Sequence, residues 1–160
     1  MSNPVSGKVR DNAGVVAPPP LIVAIPLIAG LAANWMRPLP IFSGATGLWA
    51  GITLAVAGLI LIAWGVVEFR RARTAVVPYS PTTAIVSSGP FMFTRNPLYV
   101  GFVLIYAGAS LVANTFWPFF LLPLAILVLQ RGVIEREESY LEGKFGAAYM
   151  EYKARVRRWI

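Results

Sequence analysis

Four apolar blocks, at about residues 20 to 36, 47 to 67, 98 to 113 and 116 to 130, restrict what this chain can fold into. A helix needs roughly 20 residues, within a range of about 17 to 25, to cross a hydrocarbon core. The second block meets that length outright and the first and third lie near its lower limit. The fourth reaches it only by running into the polar segment after Gln130. Lipid offers the backbone no hydrogen-bond partners, so such spans fold as helices that satisfy themselves. We read an all-α polytopic membrane protein with about four transmembrane helices and a cytoplasmic C-terminal amphipathic helix. Composition agrees, since 57% apolar and 13% charged residues lie outside the range of ordinary soluble domains.

The first block follows Lys8 and Arg10 and closes on "AGLAAN", features shared with secretory signal peptides, but it is read here as a retained span. Residues 1–17 are expected to form a disordered cytoplasmic tail, and Pro18 to Pro20 a stiff lead-in to the first span. Residues 18–160 then make one membrane-embedded domain, with its chemistry-bearing part at 68–160.

Basic residues orient this topology. Lys8 and Arg10 precede the first span, Arg70, Arg71, Arg73 and Arg95 lie between the second and third, and seven more follow the fourth. Of 14 basic residues only Arg37 falls on the opposite side, so the positive-inside rule makes both termini and the 68–97 connection cytoplasmic. The net charge of +7 then suits a surface facing anionic lipid headgroups. Nucleic acid is a poor partner for so apolar a chain.

Cys and His are both absent, which removes disulfides, thiolate or imidazole metal sites, a Cys nucleophile and a His base. No metal is expected. Gly47, Gly51 and Ala55 recur every four residues in "GLWAGITLA", a close-packing stripe that serves contacts within the chain or a homo-oligomer equally well. Trp35, Trp49, Trp64, Trp117 and Trp159 stand near block ends or at the terminus, as interfacial anchors do.

The connection "RRARTAVVPYSPTTAIVSSGPFMFTRNP" has four prolines, a strand-like "TTAIV" run and no helical period. Loops of this length in compact proteins are usually functional or disordered. At its end Asn96 suits an N-cap and Pro97 the first turn of the third span. Arg95 beside free helical N–H groups makes an anion site; the plainer reading is a capped helix with Arg95 snorkelling to lipid phosphate.

After the fourth span, Leu141, Phe145, Tyr149, Tyr152, Val156 and Trp159 form one apolar face, interrupted near Gly143 and Gly146. Glu135, Glu137 and Glu138 cluster where that span meets the cytoplasm. Three carboxylates facing anionic lipid need partners, with Arg131 or Arg136 at helical spacing supplying part and a cationic or donor-rich ligand the rest.

The pair "GPFMFTRNPLY" and "EESYLEGKFGAAYMEYKARV", each beside a span, resembles the integral-membrane methyltransferases that include isoprenylcysteine carboxyl methyltransferase and the phospholipid N-methyltransferases. The resemblance covers about residues 68 to 160. It implies an S-adenosyl-L-methionine site at the cytoplasmic membrane surface, built without a Rossmann fold, in keeping with the lack of a G-x-G-x-x-G after a strand. It further implies that Gly89, Pro90, Arg95, Asn96, Pro97 and Tyr99 line one side of the cofactor pocket, and Glu137, Glu138 and Leu141 the other. Arg95 and Glu137 are then the catalytic candidates, with Tyr149, Tyr152 and Arg136 toward the acceptor.

Two positions depart from the carboxyl methyltransferase pattern. Asn96 stands where that pattern has His, which keeps a hydrogen-bonding role and removes a charged one. Val133 stands where it has Arg, leaving Arg131 or Arg136 to substitute. Methylation of an ionised carboxylate needs no general base, whereas an ammonium must first lose a proton to Glu137, Glu138, Tyr or water. The expected activity is therefore isoprenylcysteine-type carboxyl O-methylation of a lipid or prenylated acceptor. Phosphatidylethanolamine-type N-methylation is the second enzyme reading, and a non-catalytic helical scaffold the reading from another class.

Overall fold

The structure is a computed structural model that describes residues 11–43 and 45–160. Among the described residues six α-helices follow in order: α1 (Pro19–Met36), α2 (Thr46–Arg71), α3 (Pro97–Val112), α4 (Trp117–Leu129), α5 (Glu135–Phe145) and α6 (Ala147–Arg155). A 3₁₀ turn, Gly89–Met92, precedes α3, and a π turn, Gln130–Ile134, joins α4 to α5. No strand occurs among the described residues, so the "TTAIV" run is irregular loop: it finds no partner strand. The chain is an all-α, polytopic membrane protein.

Three helical stretches are long and apolar enough to cross a membrane: α1, α2 and the continuous rod Trp117–Phe145. The third expected span, α3, has 16 residues, about 24 Å at ~1.5 Å per residue, against a hydrocarbon core of about 30 Å. It packs tightly on α2. A Cβ at Gly51 would lie 2.6 Å from the Gly108 carbonyl oxygen, and one at Gly58 would lie 2.6 Å from that of Gly101. The small-residue stripe of α2 is thus filled by α3 of the same chain, where backbones meet directly.

The second helix pair is α1 with α4, where Gly30 admits Pro118, and contacts of α1 with α3 join the two pairs. Outward faces stay apolar, with Trp49, Val56, Leu59 and Ile60 of α2 and Ile25 and Ile28 of α1 exposed, as lipid contact requires. At one end of the bundle Asn114 caps the 41–42 backbone and the Trp117 indole donates to the Arg37 carbonyl. The loop 72–96, the π turn, α5 and α6 gather at the other.

The buried core runs from there along the bundle. Ile22, Val23, Tyr99, Tyr106, Leu129, Val133 and Ile134 form one buried cluster, and the fully buried Tyr106 hydroxyl donates to the Pro118 carbonyl. Val133, which stands where the carboxyl methyltransferase pattern has Arg, is buried here and has no part in a charge network. Trp159, partly buried, also packs on this cluster and donates to Gln130.

Residues 1–10 of the expected disordered tail lie outside the described residues, but 11–17 are held. The Ala13 amide donates to the Pro78 carbonyl and the Val16 amide to Gly132, while Val16 fills the space where Gly132 has no side chain. The C-terminal helix breaks at Gly146, whose φ of +55° favours glycine, whereas Gly143 continues α5.

Candidate functional site

A cavity of about 850 Å³, counting its mouth, opens between the loop 75–86, the start of α3, the inner face of α5 and α6. The close approach of Gly89 to α2 sets its back wall. Gly89 has φ +59°, and a Cβ there would lie 2.7 Å from Glu68 Cγ and 2.8 Å from Trp64 Nε1. Glu68, itself buried, accepts from Ser88 Oγ at 2.5 Å and from Arg71 at 2.8 Å, which fixes the turn. Pro90 is fully buried behind it, and Phe91 points into the cavity edge-on to Phe69. Gly89 and Pro90 therefore shape the wall without lining it.

The next residues do line it. Arg95, Asn96, Pro97 and Tyr99 come from the start of α3, Glu137, Glu138 and Leu141 from α5, and Tyr149 and Tyr152 from α6. Arg136 does not: it points outward and donates to the Gly14 carbonyl. Glu135, Glu137 and Glu138 all fall in the first turn of α5, but the Glu135 side chain is 43% exposed while that of Glu138 is 7% exposed.

The two inward carboxylates have different partners. Glu137 accepts a 2.8 Å hydrogen bond from the Tyr99 hydroxyl. Glu138 accepts a fork from Arg158, with Nε at 2.9 Å and Nη2 at 2.7 Å, and Arg95 Nη2 approaches the same carboxylate at 3.1 Å. Lys153 lies 4.0 Å from it and also pairs with Glu142. The cations that balance the glutamate cluster thus come from across the fold rather than from Arg131 or Arg136 at helical spacing. That bidentate contact raises Arg158 above the ordinary arginine range.

Arg95 is the anomaly of the site. Its side chain is 8% exposed, yet Nε and Nη1 have no hydrogen-bond partner among the described residues. Buried polar groups are normally satisfied, and an unpaired guanidinium N–H is costly. Asn96 occupies the N-cap position with its carbonyl accepting from Tyr99 and Val100, but its side chain does not cap the helix. It donates instead to the Arg158 carbonyl at 2.8 Å. Burial pushes Tyr152 up to about 12 and raises Tyr149 as well, so both hydroxyls stay protonated; that of Tyr152 donates to the Phe91 carbonyl.

A sequence model of the phospholipid methyltransferase family matches residues 46–148, more than half of the chain and nearly all of this site. The chain belongs to the phospholipid methyltransferase family. One curated relative, an uncharacterized protein of Haemophilus influenzae, is 57% identical over 35 residues, which cover 22% of this chain and 56% of that protein. The chain therefore spans little more than half of that relative's length. No solved structure matches it. Members of the phospholipid methyltransferase family generally use S-adenosyl-L-methionine.

Sequence reasoning missed Phe69, Ala75 to Pro78, Ala84 to Val86 and Ala13, all of which line the pocket, and Arg158, which pairs with Glu138. The loop residues carry no periodic signal, and only the apolar "AVVP" and "AIV" runs hinted at an inward face.

Proposed function

We propose that this chain methylates a lipophilic acceptor at the cytoplasmic membrane surface, using S-adenosyl-L-methionine, with an isoprenylcysteine-type carboxylate as acceptor. The observation that carries the reading is the buried Arg95 guanidinium, with two unpartnered nitrogens, in the same pocket as the Glu137 carboxylate. A zwitterionic amino-acid end needs an anion site and an acceptor site close together. Arg95 has free N–H donors on Nε and Nη1, on different sides of the guanidinium, and either gives a ligand carboxylate a single charge-assisted hydrogen bond, while Glu137 accepts from an ammonium or from ribose hydroxyls. Phe91, Val86 and Leu141 give the apolar wall that an adenine ring requires. When bound, the cofactor supplies a methyl group activated on a sulfonium.

The chain's own residues then align and desolvate. Pro97, Tyr99 and Leu141 keep water from the reacting end, and a carboxylate acceptor needs no proton removed beforehand, which suits a site without His. Tyr149 and Tyr152 lie on the α6 wall where a lipophilic acceptor would rest, and Arg136 would meet only a headgroup outside the pocket.

A second reading, methylation of a phosphatidylethanolamine-type amine, is favoured by Glu137, a partly buried carboxylate in the pocket wall that could take the ammonium proton. Transfer of labelled methyl to farnesyl-cysteine and to phosphatidylethanolamine, assayed in parallel, separates the two. Base-labile label on farnesyl-cysteine is expected, and base-stable label in lipid would replace the first reading with the second. Absence of saturable cofactor binding by the detergent-purified protein would leave a helical scaffold.

A further inference from the structure

The segment after α6 runs beside the start of α3, behind the pocket, with the carbonyls of 157 and 158 bonded to residues 94–96. Three consecutive residues before α3 donate into this tail: Thr94 Oγ1 to the Arg158 carbonyl at 3.2 Å, the Arg95 amide to the Arg157 carbonyl at 2.9 Å, and Asn96 Nδ2 to the Arg158 carbonyl. Trp159 anchors the far side through Gln130 and the core cluster. The Arg158 guanidinium is thereby delivered to Glu138 in a planar fork that occupies both carboxylate oxygens.

That occupancy decides what Arg95 can do. A carboxylate presents one favourable edge to a bidentate guanidinium, and two arginines compete for it. Arg158 holds that edge, so Arg95 reaches Glu138 with Nη2 alone and keeps Nε and Nη1 for something else. Without Arg158, the nearest anion for those nitrogens is Glu138 itself.

We propose that Arg158 is a positioning residue that keeps Arg95 open for a ligand carboxylate by occupying Glu138, so that the C-terminal tail sets the anion affinity of the pocket. This rests on the reading that the pocket takes S-adenosyl-L-methionine and adds which residue makes that possible. Glu138 then acts through the two arginines rather than on the ligand, and Glu137 is the carboxylate left to face it.

The test measures calorimetric binding of two probes to full-length protein in detergent: S-adenosylhomocysteine, which carries the amino-acid carboxylate, and 5′-methylthioadenosine, which lacks it. Arg158→Gln should weaken S-adenosylhomocysteine by at least about tenfold, the scale of one lost charge-assisted contact, and leave methylthioadenosine unchanged. Adding Glu138→Gln to that variant should restore S-adenosylhomocysteine binding, because the competing carboxylate is gone. Equal weakening of both probes means a merely structural tail and overturns the proposal, as does failure of the double variant to recover while methylthioadenosine still binds. If the wild-type chain binds neither probe, the cofactor reading falls and takes this proposal with it; if it binds both and Arg158→Gln changes neither, only the proposal falls.

Discussion

The Tyr99 hydroxyl donates to Glu137 Oε1 over 2.8 Å, and this bond ties the first turn of α3 to the first turn of α5. The partners are 38 residues apart and come from the two sequence motifs that flank the pocket. Tyr99 thus leaves Glu137 with one oxygen directed by the protein and limits how far the carboxylate can turn. A buried carboxylate that loses such a donor keeps its desolvation cost without the compensating bond.

Tyr99→Phe should therefore lower stability by about 1 to 3 kcal/mol and weaken cofactor binding as Glu137 reorients. Thermal unfolding in detergent, with and without S-adenosyl-L-methionine, checks both effects. An unchanged midpoint in the variant would show that Glu137 finds another donor.

The α2·α3 interface predicts opposite outcomes for glycines that look alike in sequence. Gly58→Ala puts a methyl 2.6 Å from the Gly101 carbonyl oxygen, a backbone atom that cannot turn aside, and should cost about 1 to 3 kcal/mol. Gly143→Ala meets nothing within 4 Å inside α5 and should stabilise by about 0.5 to 1 kcal/mol. Unfolding midpoints of the two variants in one detergent should move in opposite directions.

Local pattern carried the helices, the Asn96-Pro97 helix start and the glutamate cluster, which are short-range signals, whereas only the family resemblance joined the two motifs as walls of one pocket. Local pattern did not carry the pairing of those motifs with the rest of the chain. Arg131 and Arg136 looked like partners for the glutamates since helical spacing is all a sequence offers, whereas Arg158 arrives through a tail 20 residues beyond Glu138. The Glu68 and Ser88 contact behind Gly89, also 20 residues long in sequence, was hidden for the same reason. Asn96 reads as a side-chain cap until the tail supplies a carbonyl that competes for its amide.

The segment 11–17 should be released by acid. Asp11 is held below the usual carboxylate range by hydrogen bonds from Lys144 and Tyr140. A carboxyl depressed in the folded state contributes stability above its unfolded value near 3.8 and loses it as pH falls through the lower folded value. Amide protection at Ala13 and Val16, corrected for intrinsic exchange, should fall in that window. Asp11→Asn should show the same loss already at neutral pH, and full protection in that variant would mean that the Pro78 and Gly132 carbonyls hold the segment unaided.

Asn96→Asp tests the contact between the start of α3 and the tail. The amide Nδ2 faces the Arg158 carbonyl at 2.8 Å in a buried position, and a carboxylate there sets two acceptors against each other. Loss of the bond and burial of an unpaired charge together should cost at least about 3 kcal/mol, and the Thr94 and Arg95 bonds to the tail should loosen with it. Asn96→His keeps an N–H donor and should fall between the wild type and Asn96→Asp. Hydrogen exchange across 156–160 reports tail release directly, and an ordered tail in Asn96→Asp would show that Trp159 and the Arg158 fork hold it without Asn96.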